Sequence, residues 1–367
     1  MWELIRSKVQ AWERGLDSGA PIVIPTSGGY DSRILNWMVS DKSRIRSFTY
    51  GDTTPQSEST EVLYARELAR RLGTKWEQVE LDDFLTYIDR WHEMFGVSTH
   101  THGMYHMEFY TKIRERLSPE FSNTHLPLLS GIIGDIWAGM ILPEIPDPSR
   151  LVALGYTHGL CADHRRALPR HPESEARLEW WEKKKAKLAD PRVRVLEANR
   201  MKNILLCYLL RVPKSMNYAP YGPLAEMDAA LAMLKLPFER RKGRVWQVEF
   251  FERHGIFVNR DVPTRRLEKN SDLSAWRKHP QPPLNVSILR EFIEPSYVEW
   301  VNKYVHSTPW DSFQVALRHI RGYGRLLKTL AGTDEVPGRP MVQAHCAYLT
   351  LLPLQKLLLR REGRGVE

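Results

Sequence analysis

Cysteine is scarce in this chain: Cys161, Cys207 and Cys346 are the only three, and none stands in a CxxC pair. An odd count without paired spacing excludes a disulfide framework and a zinc ribbon, and it points to a reducing compartment. Long apolar runs are missing too, and no stretch reaches the roughly 18 residues that a membrane span requires. Glu3, Arg6, Lys8, Glu13 and Arg14 interrupt the N-terminal segment, which excludes the apolar centre of a signal peptide. Internal repeats and low-complexity segments are also absent. The expectation is a cytoplasmic protein without a transmembrane segment.

What is present suits a large globular chain. Hydrophobic residues make up 42% of 367 positions, ample for a core and too many for a disordered chain. The formal charge is +9. Such an excess favours polyanions, and basic residues gather between Arg165 and Lys202. Acidic residues alternate with lysines across Ser174–Leu188, however, which reads as a solvated helix. A nucleic-acid partner is therefore not expected; ATP and an anionic substrate account for part of the surplus. Trp2, Ile5, Val9, Trp12 and Leu16 repeat at helical spacing, giving an amphipathic helix over 1–16 that packs on the first strand.

The most informative segment runs Ile22-Val23-Ile24-Pro25-Thr26-Ser27-Gly28-Gly29-Tyr30-Asp31-Ser32-Arg33. A short apolar strand enters a two-glycine turn, and helical spacing begins with Ile34, Leu35 and Met38. Backbone N–H groups at such a helix start are unsatisfied and carry partial positive charge, so the turn suits a phosphate. Gly28 and Gly29 let the backbone approach an anion. Ser27 and Ser32 add hydroxyls, and Asp31 offers a carboxylate able to hold Mg²⁺ against phosphate oxygens. A capped Gly/Ser turn would look similar on these letters alone.

The stretch matches the SGGxDS signature of the ATP-pyrophosphatase (PP-loop) superfamily. The continuation, Arg44 to Leu81, resembles the synthetase domain of the asparagine synthetase family. Its residues form a βαβ unit: a strand ending at Tyr50-Gly51, a helix carrying Val62, Ala65, Leu68, Ala69 and Leu72, a stop at Gly73, and a strand over Trp76–Leu81. Further on, Leu128-Leu129-Ser130-Gly131-Ile132-Ile133-Gly134-Asp135-Ile136-Trp137-Ala138-Gly139 is similar to the family's SGxGxDE segment. Ile136 replaces the usual glutamate, a departure from strict asparagine synthesis.

The resemblance implies an α/β fold, a parallel sheet flanked by helices of the adenine nucleotide alpha hydrolase-like kind, with a mostly helical C-terminal part. The division expected is an N-terminal helix over 1–16, a nucleotide-binding core over 17–142 and a helical extension over 143–367. It implies an AMP-forming amide synthetase that adenylates a carboxylate and passes it to ammonia or an amine, in cell-surface polysaccharide or natural-product synthesis. ATP would lie on Ser27, Gly28, Gly29, Asp31, Ser32, Tyr50, Gly51, Ser130, Gly131 and Gly134. Mg²⁺ would bridge Asp31 and Asp135. A lysine in a basic stretch contacts the polyphosphate in this family; Lys242 is the candidate here, with Arg240, Arg241 and Arg244 competing. With Trp at position 2, no internal glutaminase is expected, so nitrogen comes from free ammonia, a separate glutaminase subunit or a substrate amine. The other partner is a small-molecule or glycan-precursor carboxylate.

His100, His102 and His106 precede the second motif, where the resembled fold borders the acceptor pocket, and are assigned to substrate contact. His102 and His106 stand at i, i+4, the spacing of a zinc pair, but no cysteine supports a metal there. Two further readings stay open: a tRNA-modifying PP-loop ligase, and a catalytically silent scaffold of the same fold. The apolar-then-basic run Ala347–Arg361 suits either a buried terminal helix or a peripheral membrane contact.

Overall fold

The computed structural model describes residues 1–96, 103–121, 125–139, 144–148, 151, 162–169, 175–205, 207–264, 271–305 and 339–361. They divide into two compact units. The first comprises Met1–Leu81, His106–Tyr156 and Ala176–Arg266, and the second Asp82–Tyr105, Thr157–Glu175 and Leu267–Glu367.

The first unit is built on a five-stranded parallel sheet flanked by helices. In chain order the strands are β1 Ile22–Pro25, β2 Ile45–Thr49, β3 Lys75–Gln78, β4 Leu126–Leu129 and β5 Tyr218–Tyr221, arranged 3-2-1-4-5. Register aligns Ile22 with Ile45, Val23 with Leu128, and Leu129 with Tyr221. The central strands β1 and β4 are short apolar runs, as a strand covered on both faces requires. At one edge, β3 alternates exposed and half-buried residues. Each crossover that carries a helix follows the local signals. Helix α1, Trp2–Arg14, buries Ile5 and Val9 in the same cluster as Ile22 and Ile24. Each such side chain contributes about 1.5–3 kcal/mol when withdrawn from water. Helix α2, Tyr30–Met38, follows β1, and α3, Thr60–Leu72, ends at Gly73 in the left-handed region. Helix α4, Ile88–Phe95, belongs to the second unit, while α5, Tyr105–Phe121, and α6, Gly134–Gly139, which follows β4, return to the first.

Downstream, α7 Glu175–Leu188 and α8 Pro191–Leu205 precede α9 Tyr208–Ser215 and β5. The mixed-sign helix expected near 174–188 is α7, and Lys183–Glu179 and Lys185–Glu182 pair along its exposed side. After β5 come α10 Met227–Leu234, α11 Phe238–Arg241 and α12 Val245–Arg253. Trp2 of α1 stacks on Phe250 and meets Trp246, so α1 and α12 are packed together.

The second unit is helical among its described residues. Helices α13 Ser271–Lys278, α14 Val286–Leu289 and α15 Pro295–Val305 precede the C-terminal helix Arg339–Arg361, which packs on α14 and α15. Ala347, Tyr348, Leu349, Leu351 and Leu352 are buried whereas Leu357 is exposed, so the first half of the apolar run is a buried stretch of a helix that contains Pro353. Among the described residues, no helix is long and apolar enough to cross a membrane.

Candidate functional site

Strand order reverses between β1 and β4, the two strands at the middle of the sheet. In open parallel sheets that reversal opens a crevice at the strands' carboxyl ends. Both glycine motifs leave the sheet there: Thr26–Gly29 runs from β1 into α2, and Ser130–Ile133 runs from β4 into α6.

Hydroxyls shape the first turn. The Ser27 N–H donates to Ser32 Oγ at 3.1 Å, and the Gly29 N–H donates to Ser27 Oγ at 3.1 Å. Thr26 stays in the sheet through its N–H to the Phe48 carbonyl. Beneath it, Asn36 Nδ2 donates to Thr26 Oγ1, and Ser47 Oγ donates to Asn36 Oδ1. Ser27 and Gly29 are exposed while Ser32 and Arg33 are buried, so the turn presents backbone outward over a polar floor.

Arg33 secures that floor. Its Nη2 donates to the Gly28 carbonyl at 3.0 Å and its Nη1 to Asn259 Oδ1 at 2.8 Å. The rings of Tyr30, Tyr64 and Phe251 surround the guanidinium. Burial lowers its pKa to about 10, still charged at neutral pH. A buried cation therefore stands behind a turn suited to anions. Position 33 was not singled out in the sequence, though a basic residue opening the apolar face of α2 was the available signal.

The second turn is held differently. Ser130 continues the sheet through its N–H to the Tyr221 carbonyl, and its Oγ accepts from the Ile132 N–H at 3.3 Å. Ile133 has φ +66°, the left-handed region that costs a β-branched residue about 1–2 kcal/mol. The SGxGxD spacing puts Ile133 at the resembled pattern's second glycine, so the backbone shape is kept without the residue that suits it. Ile133 is buried in a cluster with Ile136, Trp137, Val195, Met233 and Trp246.

The two turns touch. A Cβ at Gly134 would lie 2.7 Å from Asp31 Cγ and 2.5 Å from Leu224 Cδ1. One at Gly131 would lie 3.0 Å from Asp31 Cβ. Only glycine admits this approach. Asp31 and Asp135 are both half-buried and stand in the first turns of α2 and α6. The Asp31 carboxylate lies against Gly134, the residue before Asp135. Gln247 of α12, buried and also unforeseen, donates through Nε2 to Asp31 Oδ1 at 3.3 Å.

The basic stretch divides among its members. Lys242 is exposed and makes no hydrogen bond or ion pair among the described residues. Arg240 pairs with Glu249, and Arg241 is buried. Arg244 adopts φ +59° and sets its guanidinium 5.5 Å from the Tyr30 ring centre, inside the first motif. Arg244, at the N-cap of α12, and Gln247 within it thus both reach the first turn.

Tyr50 and Gly51 follow the end of β2. Gly51 is buried, and a Cβ there would meet the Gln56 carbonyl oxygen at 2.2 Å. The Tyr50 ring meets His106 and Phe109 edge-on, and His106 also meets Tyr208. The structure therefore brings His106 to Tyr50, whereas His100 and His102 lie outside the described residues.

Residues 7–116 match the family model described as asparagine synthase. Over that span the chain is similar to the synthetase domain of asparagine synthetases, a family of ATP-dependent, amide-forming carbon–nitrogen ligases that generally use ATP with Mg²⁺. The match covers the first turn and stops before the second, which stands on geometry. Among curated proteins, none matches the chain in sequence.

Proposed function

We propose that the paired turns bind ATP with Mg²⁺, and that the chain activates a substrate carboxylate as an acyl-adenylate and passes the acyl group to ammonia or an amine. One observation carries this reading: the Asp31 carboxylate lies directly against the second glycine turn, at the point where strand order reverses. Two half-buried carboxylates on abutting turns are hard oxygen donors and fit Mg²⁺. When bound, the ion neutralises charge on the polyphosphate.

The chain's own residues position and compensate. The Ser27–Ser32 turn receives phosphate oxygens on outward backbone, held in shape by Arg33 on the Gly28 carbonyl. Tyr50 and Gly51 frame the adenosine, and Gln247 fixes the rotation of the Asp31 carboxylate. A substrate carboxylate oxygen attacks the α-phosphorus, the bond from that phosphorus to the β-phosphate bridge breaks, and pyrophosphate leaves with the electron pair. The nitrogen nucleophile then attacks the acyl carbon, loses a proton, and AMP departs with the former carboxylate oxygen. Arg244, beside Tyr30, has the first claim to offset the charge that grows on pyrophosphate, and Lys242 the second. His106, beside Tyr50, borders the acyl substrate.

The test is ATP–pyrophosphate exchange by the purified chain with Mg²⁺, across pools of sugar acids, amino acids and peptides. Carboxylate-dependent exchange, with AMP released on adding ammonium or an amine, is the expected result. Release of ADP and phosphate, or no exchange in any pool despite bound ATP, would overturn the adenylation reading.

A further inference from the structure

Arg241 is 3% exposed, yet its guanidinium makes no hydrogen bond or ion pair among the described residues, and its Nε is sealed from water. A buried, unpaired guanidinium carries a desolvation penalty unless an anion compensates it. The one carboxylate recorded as acting on it among the described residues cannot do so. Asp190, in the turn between α7 and α8, is already held by Arg192 through both oxygens, Nη2 lying 2.7 Å from Oδ2. Arg194 also acts on Asp190, and it is 6% exposed with its Nε unpartnered, while its Nη1 is spent on the carbonyls of Leu188 and Ala189. Three guanidinium charges thus act on one committed carboxylate.

This cluster is separate from the phosphate turns. The Arg241 carbonyl packs on Gly139, the last residue of α6, where a Cβ would lie 1.8 Å away. Asp135 stands in the first turn of α6, four residues or about 6 Å of helix before Gly139. The charges that act on Arg241 are those of Arg192 and Asp190, and burial with the Arg192 charge lowers its pKa.

We infer that Arg241 forms an oxyanion subsite at the C-terminal end of α6 that receives a carboxylate or phosphate group of a small ligand. Resting on the adenylation reading, the occupant is a second acidic group on the acyl substrate, so that substrate carries an anion besides the carboxylate it activates. Planar bidentate recognition by a guanidinium suits either group.

Thermal unfolding of the full chain without nucleotide, at fixed ionic strength, tests the subsite with two probes, inorganic phosphate and succinate. At least one should raise the unfolding temperature by about 2 °C or more. Arg241→Met should lose that rise, and Arg241→Lys, which keeps the charge, should retain part of it. A rise undiminished in Arg241→Met, or absent from the parent chain with both probes, overturns the subsite. Calorimetry with MgATP on the same proteins keeps the two readings apart: Arg241→Met should bind nucleotide as the parent does. A parent chain that binds no ATP would sink the nucleotide reading and leave the probe result standing. In the exchange assay, Arg241→Met should raise KM for a di-acid at least tenfold and leave the KM for ATP unchanged. Best exchange with a mono-acid, indifferent to Arg241→Met, would overturn the substrate class.

Discussion

The two glycine turns have the same strand–turn–helix plan but are held by different means. The first is specified by its own residues: Ser27 and Ser32 bond within the turn, and Arg33, one residue on, grips the Gly28 carbonyl. The second is moulded by its neighbours, with Ile133 kept in the left-handed region by the cluster around it. Locally encoded geometry leaves a legible motif, whereas geometry imposed by packing tolerates the wrong letter.

Asp31→Asn and Asp135→Asn test whether the turns act as one site. Each should cut pyrophosphate exchange about a thousandfold while circular dichroism stays unchanged. Near-normal exchange in either would break the pairing and leave one turn purely structural.

Arg33→Met strikes at local encoding. It strips the Gly28 carbonyl and Asn259 of a buried donor and should destabilise the chain by about 3 kcal/mol in denaturant titration. A chain as stable as the parent would mean that the serines alone hold the first turn.

Arg244→Ala and Lys242→Ala separate the two claimants to pyrophosphate charge. The arginine variant should slow exchange about tenfold, near 1.4 kcal/mol, and the lysine variant less than about threefold. The reverse order would return the role to Lys242.

The smallest effect concerns imposed strain. Ile132 and Ile133 are equally buried, but only Ile133 has positive φ. Ile133→Gly should therefore destabilise by about 1 kcal/mol less than Ile132→Gly. Equal losses would show that Ile133 sits there without penalty.

The legibility of the rest follows the same line. The first turn, the Tyr50-Gly51 strand end and the Gly73 helix stop could be read because each depends on chemistry within a few residues. Strand β5 could not: four residues with Pro220 inside read as a turn, and only pairing with β4 makes them a strand. Nor could Gln247, whose bond to Asp31 spans 216 positions. Of the histidines assigned to substrate contact, only His106 falls among the described residues, and packing brings it to Tyr50.

By itself, then, the sequence determined the phosphate-suited turn and the parallel βαβ plan, because hydrophobic period, glycine placement and capping act over short distances. Tertiary structure alone decided that β4 lies beside β1, that Asp31 lies against Gly134, and that Arg244 meets Tyr30 while Lys242 stays in solvent. Those outcomes depend on which distant surfaces bury one another, and no local pattern records that choice.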